Sequence, residues 1–195
     1  MLPVRQIFPS TPPLDISAEI RRQLRPVASS LKPGANIAVA VGSRGITNLR
    51  GIVAEVLHAL REAGAKPFIV PAMGSHGGAT PEGQTALLAE YGITEEQLGA
   101  PIRASMEAEY LGKTADGVDV YFSKEALQAD GVIIVNRVKP HTDFAGSLGS
   151  GILKMMVVGL GKRVGAANFH VCASRLGYEA VLRASARVTL RSAPI

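Results

Sequence analysis

Apolar residues along this 195-residue chain follow two rhythms, one of short unbroken runs and one of recurrences at every third or fourth position. The run Asn36-Ile-Ala-Val-Ala-Val41 is short, apolar and β-branched, which predicts a buried strand over residues 36–41. Phe68-Ile-Val70 reads the same way and stops at Pro71. Later strands are expected at 118–122 and 132–136. Residues 16–31 carry the longer period and predict an amphipathic helix, opened by Asp15, closed near Lys32-Pro33-Gly34, and kinked or split at Pro26. A second helix is predicted over 48–63 and broken by Gly64-Ala65-Lys66-Pro67, while Thr80-Pro81-Glu82 supplies an N-cap and an N1 proline for a third. Toward the C-terminus residues 175–186 read as helix, and Val188-Thr-Leu190 resembles the start of a strand.

The order strand, loop, helix, strand, loop, helix predicts an α/β protein. The expected form is a Rossmann-like layered fold with a largely parallel sheet and helices on both faces. Functional groups in such sheets gather beyond the carboxyl ends of the strands, where loops vary over a rigid frame. Three loops qualify here, residues 42–47, 73–80 and 136–151, and they hold two of the four histidines.

A chain of this length buries about 70% of the surface its unfolded form exposes, so one domain, or one large domain with a small appendage, is expected. Its 47% hydrophobic and 19% charged residues, with a mean hydropathy of +0.19, exclude a disordered chain. No apolar run approaches the roughly 20 residues that cross a bilayer. Residues 1–13 hold no apolar stretch after Arg5, unlike a secretory leader, so a cytoplasmic location without a membrane partner is the default expectation. The single cysteine, Cys172, excludes an intrachain disulfide and a cysteine cluster, which leaves histidine or carboxylate to bind any metal. Of the net charge of +5, the excess lies late: residues 151–195 hold seven Lys or Arg against the one acid Glu179.

Candidate chemistry concentrates in the strand-end loops. Gly74-Ser75-His76-Gly77-Gly78 puts an imidazole between a strand end and a helix start, a place suited to proton transfer and equally to a plain capping histidine. Val138-Lys139-Pro140-His141-Thr142-Asp143 follows the strand at 132–136 and is dense in polar groups, with Gly146, Gly149 and Gly151 behind it; read alone, it is as well explained as a solvated turn. Lys154 stands inside Ile152-Leu-Lys-Met-Met-Val-Val158, where an amine must be paired, neutral or snorkelling, and where desolvation would free it as a nucleophile. His170, sixteen residues on, could give a neutral imidazole to a metal only if a cofactor brought the other ligands. His58, mid-helix, reads as structural or exposed. P-loop, nucleophile-elbow, His-Glu-x-x-His and dinucleotide glycine motifs are all absent, and Gly159-Leu-Gly161-Lys-Arg-Val-Gly165 fits none of them.

Taken together, Gly-Ser-His76, Pro-His141, a glycine-preceded Lys154 and His170 resemble the N-terminal domain of the nickel-pincer-dependent lactate racemase family across residues 37–170. The resemblance implies an isomerase, a racemase or epimerase of a small-molecule 2-hydroxy acid. It also implies a nickel-pincer nucleotide, nickel bound to pyridinium-3,5-bisthiocarboxylic acid mononucleotide, loaded by cofactor-synthesis enzymes. By the same token Lys154 would tether the cofactor, His170 would ligate nickel, His76 and His141 would be the catalytic proton carriers, and Arg44 would bind substrate carboxylate or cofactor phosphate. The loop Gly42-Ser43-Arg44-Gly45-Ile46-Thr47 departs from the family's acidic Thr-Arg-Pro type, which implies another hydroxy acid or a polyol-derived acid in place of lactate. The family's second domain would follow Ile195, so residues 1–195 are expected to be a truncated catalytic domain; oligomerisation is left open. Two alternatives stand beside this reading. One is a nucleic-acid-binding module resting on the basic stripe Arg183, Arg187 and Arg191, against which count the 5% aromatic content and the usual solvation of such stripes. The other is a truncated family member that folds without catalysing.

Overall fold

The computed structural model describes Arg5 and residues 12–43, 45–139 and 147–195. Its frame is a three-stranded parallel sheet in the order β2-β1-β5, formed by β1 (Asn36–Val41), β2 (Lys66–Pro71) and β5 (Gly131–Val135). Helix α2 (Leu49–Glu62) makes the crossover from β1 to β2. The α/β class and the parallel sheet expected from the sequence are both present.

Alternation along β1 sorts its side chains to opposite faces. Ile37, Val39 and Val41 pack with Val53, Val56, Leu57 and Leu60 of α2 and with Leu88 of α3 (Pro81–Glu90). Ala38 and Ala40 turn the other way, where Phe68, Val70, Phe122 and Leu160 complete a second core. The small residues admit a close layer there, built from the antiparallel pair β3 (Ala108–Lys113) and β4 (Asp119–Ser123) and the short helix α5 (Lys124–Leu127). Between α3 and β3 lies α4 (Glu95–Leu98), after which Pro101 and Arg103 exchange backbone hydrogen bonds with Ile69 and extend the β2 edge.

Helix α1 (Ile16–Ser30) is capped as expected, with the Asp15 carboxylate accepting from the Ala18 N–H at 3.0 Å. It is not split at Pro26: the helix runs through that exposed proline, so the lost backbone bond falls on the solvent side. Thr80 caps α3, its hydroxyl accepting from the Gly83 N–H at 3.0 Å, and Pro81 opens the helix. Thr80→Ala should cost about 1 kcal/mol, read as a lowered urea midpoint at unchanged slope.

Two C-terminal expectations are overturned. The helix predicted over 175–186 is two helices, α7 (Lys162–Leu176) and α8 (Tyr178–Ser192), broken at Gly177, whose φ of +88° lies in the left-handed range. Val188 to Leu190 begins no strand but lies inside α8, where Val181, Leu182, Ser185, Ala186, Val188 and Thr189 make a buried helical stripe. Three residues, two of them apolar, are too few to establish a period of two against that stripe. Arg183, Arg187 and Arg191 are exposed on α8, and Arg183 is tied to Glu179 at 2.8 Å, the arrangement of a solvated face.

No described helix is long and apolar enough to cross a membrane.

Candidate functional site

Because β1, β2 and β5 are parallel, the loops that leave them emerge on one edge of the sheet. β1 has α2 and β2 to one side and β5 to the other, so the crevice between the β1 and β5 ends is where the connections diverge, the usual place for a ligand in such a sheet. Met155 enters it from the far side, its methyl lying 3.1 Å from where a Cβ on Gly42 would stand.

His76 stands in the loop that leaves β2, on the same edge of the sheet, and is exposed. Its Nδ1 shares a hydrogen bond with the hydroxyl of Ser43, which leaves β1. The loop is pinned from two sides. The buried Gln84 amide of α3 donates to the carbonyls of Gly74 and His76 at 3.1 and 3.2 Å. From the opposite side the Gly74 N–H donates to the Gly159 carbonyl at 3.0 Å.

Gly159 ends a single π-helical turn, Met155–Gly159, closed by the Leu160 N–H donating to the Met155 carbonyl at 2.8 Å. Such turns are rare and recur at functional sites, since they widen the helix where a side chain must be aimed. Lys154 is the residue immediately before it, closing the short helix α6 (Ile152–Lys154). Glycine is required at the end of the turn: a Cβ at Gly159 would stand 2.6 Å from the Ala72 carbonyl oxygen. That close approach sets the Lys154 segment directly against the loop that carries His76.

His170 lies on α7, exposed, with Phe169 beside it buried in the core that holds α7 and α8. Partial desolvation, and after it the positive charge of Lys154, push the His170 imidazole down from its ordinary pKa. Both influences favour a neutral ring nitrogen that can act as a ligand. The second influence means that Lys154 and His170, sixteen residues apart in sequence, are within electrostatic reach of each other.

Lys162 is strongly perturbed. It is fully buried, at a left-handed φ of +56°, and its Nζ donates to the Pro71 carbonyl at 2.8 Å. Burial lowers its pKa from 10.5 to about 8, with Glu125 opposing the shift. The lysine therefore ties the start of α7 to the end of β2, beneath the His76 loop.

Three of the five residues expected from the sequence are thus described: His76 and Lys154, on segments joined by the Gly74–Gly159 bond, and His170 on α7. Arg44 and His141 lie outside the described residues; the backbones of Lys139 and Ser150 pair with each other at 3.1 and 2.8 Å. His58 is exposed and paired with Glu62 at 3.2 Å, as a structural residue would be. Sequence reasoning missed Ser43, Gln84 and Lys162. Ser43 had a positional signal, standing in a strand-end loop; the other two had none, since each acts through a partner distant in sequence. Residues 11–178 match the family model described as lactate racemase N-terminal domain. No curated protein matches the chain.

Proposed function

We infer, from the premise that this chain belongs to the lactate racemase N-terminal domain family, that it is a nickel-pincer-nucleotide-dependent racemase or epimerase of a 2-hydroxy acid. The observation that carries this reading is the stitching of the Lys154 turn to the His76 loop by the Gly74–Gly159 hydrogen bond.

The residues present fit such a cofactor. Among the described residues no three His, Cys, Asp or Glu side chains assemble to hold a metal by themselves. One imidazole with a depressed pKa beside a lysine is the donor set of a site whose remaining ligands arrive on an organic group. Lys154 would hold that group covalently and His170 would complete the metal's coordination. Bound there, the cofactor supplies a reversible acceptor for the hydride on the substrate's C2.

The chain's own residues then have the proton to manage. Inverting a 2-hydroxy acid requires the hydroxyl proton to leave as C2 loses hydride and to return when hydride comes back. His76 serves this step. In the tautomer whose Nδ1–H donates to Ser43 Oγ, the lone pair sits on Nε2, and in that tautomer Nε2 is the nitrogen that acts as base. His141 is proposed as the second carrier, for the opposite face of the substrate, and Arg44 as the carboxylate anchor.

Coexpression of the full chain with cofactor-synthesis enzymes tests this. Purified protein should contain nickel and show a mass increment located on Lys154 by peptide mapping. Lys154→Ala should lose both, and a variant that retained them would overturn the assignment. His170→Ala should keep the increment and lose nickel.

A further inference from the structure

The buried amide of Gln84 has no place in the chemistry above, yet it is poorly explained as packing. Gln84 is fully buried in the first turns of α3, and its Oε1 has no hydrogen-bond partner among the described residues. Such an amide costs more to bury than a methionine of the same length, because one polar atom is left unsatisfied. What its NH2 group does is specific. Both of its protons go to carbonyls of one loop, those of Gly74 and His76, on either side of Ser75. The backbone that carries the His76 side chain is therefore held at two points two residues apart.

The same helix holds the partner of His76. At the C-cap of α3, the Tyr91 hydroxyl donates to the Ser43 carbonyl at 2.9 Å. Ser43 and His76 come from different strands and are 33 residues apart in sequence. One rigid helix spans both, gripping the His76 loop near its start and the Ser43 loop at its end. Packing brings the loop still closer, since a Cβ on Gly77 would stand 2.8 Å from the Gln84 backbone nitrogen.

We propose that Gln84 is a positioning residue for His76, and that helix α3, through Gln84 and Tyr91, fixes the Ser43–His76 pair and hence the tautomer of the imidazole. The proposal rests on the reading of His76 as a proton carrier for its functional meaning, but not for its geometry. Gln84 touches no reacting atom. It acts by keeping the imidazole where Ser43 can reach Nδ1, leaving Nε2 as the working nitrogen.

The test uses the full chain without cofactor, with 15N-labelled histidine, and reads the ring nitrogens of His76 by long-range proton–nitrogen correlation. Wild type should show one dominant tautomer, and Ser43→Ala should move it toward a mixture. Gln84→Met, which keeps the volume and removes both donors, should reproduce the Ser43→Ala spectrum while remaining folded by circular dichroism. Tyr91→Phe, which removes a single hydroxyl, should move the spectrum in the same direction by less, and it decides the matter should Gln84→Met not fold. A merely structural Gln84 would lower the unfolding midpoint and leave the His76 nitrogens at their wild-type positions, which overturns the proposal. In loaded enzyme, Gln84→Met should lower kcat about tenfold with KM little changed. Should the loaded wild type show no activity on any 2-hydroxy acid, the functional reading fails while the nitrogen spectra still decide the role of Gln84.

Discussion

His76→Ala is expected to lower kcat/KM about 10²- to 10⁴-fold, the usual contribution of a positioned acid or base. Nickel content and the mass increment on Lys154 should remain at wild-type levels, because His76 stands on the β2 loop and not on the segment that carries Lys154. The two reaction directions should fall by the same factor. Their kcat/KM ratio is set by the equilibrium between the two stereoisomers, which no residue can alter; kcat alone can fall unequally, and an unequal fall there would mean that His76 also acts on product release. Chiral chromatography of reactions started from each enantiomer of a panel of 2-hydroxy acids measures both. Activity within about threefold of wild type would remove His76 from the proton path.

The second large effect is on stability and belongs to Lys162. Wild type should gain stability relative to Lys162→Met as the pH is raised from about 8 toward 10.5. The folded chain holds this amine with a pKa of about 8 against an ordinary value of 10.5. Below that window both states carry the proton, and the folded state bears the full cost of burying an ammonium. Inside it the unfolded chain binds more protons than the folded one, so stability climbs with pH, and above it the cost is gone. At 1.36 kcal/mol per unit the climb is about 3 kcal/mol, roughly two orders of magnitude in the folding equilibrium. Urea unfolding of both proteins at about pH 7.5 and about pH 10 checks it. A difference that stays flat across that range would mean the amine is solvated in the folded state. At neutral pH the methionine variant loses the hydrogen bond to Pro71 but also the buried charge, so its stability there should lie near that of wild type.

These two residues also mark the boundary between what could be read along the chain and what could not. His76 was visible because a glycine-flanked histidine at the end of an apolar strand is placed by local rules: the strand ends at Pro71, the loop follows, and Thr80 starts the next helix. Lys154 was visible because an amine in an apolar run is a local contradiction. Lys162 was not, although it is buried more deeply than Lys154, because the carbonyl that accepts from it is 91 residues away. Gln84 was hidden for the same reason, being one polar residue at a helix start until the loop it holds is seen. The reading of residues 188–190 as a strand start failed because local propensity had no tertiary context; that stretch continues a helix whose Val181, Leu182 and Ala186 pack with Phe169 and Tyr178.

Much of the frame was determined by the sequence alone. Hydrophobic period, cap residues and glycine breaks act within a few residues, so β1, the ends of α2, the cap of α3 and the parallel α/β class follow from neighbours in the chain. Only the tertiary structure decided how the site is held. The Gly74–Gly159 bond, the Lys162–Pro71 bond and the α3 brace on Ser43 and His76 each join segments that no local rule relates. They depend on which loops the parallel sheet brings to one edge, and that is fixed when the strands pair.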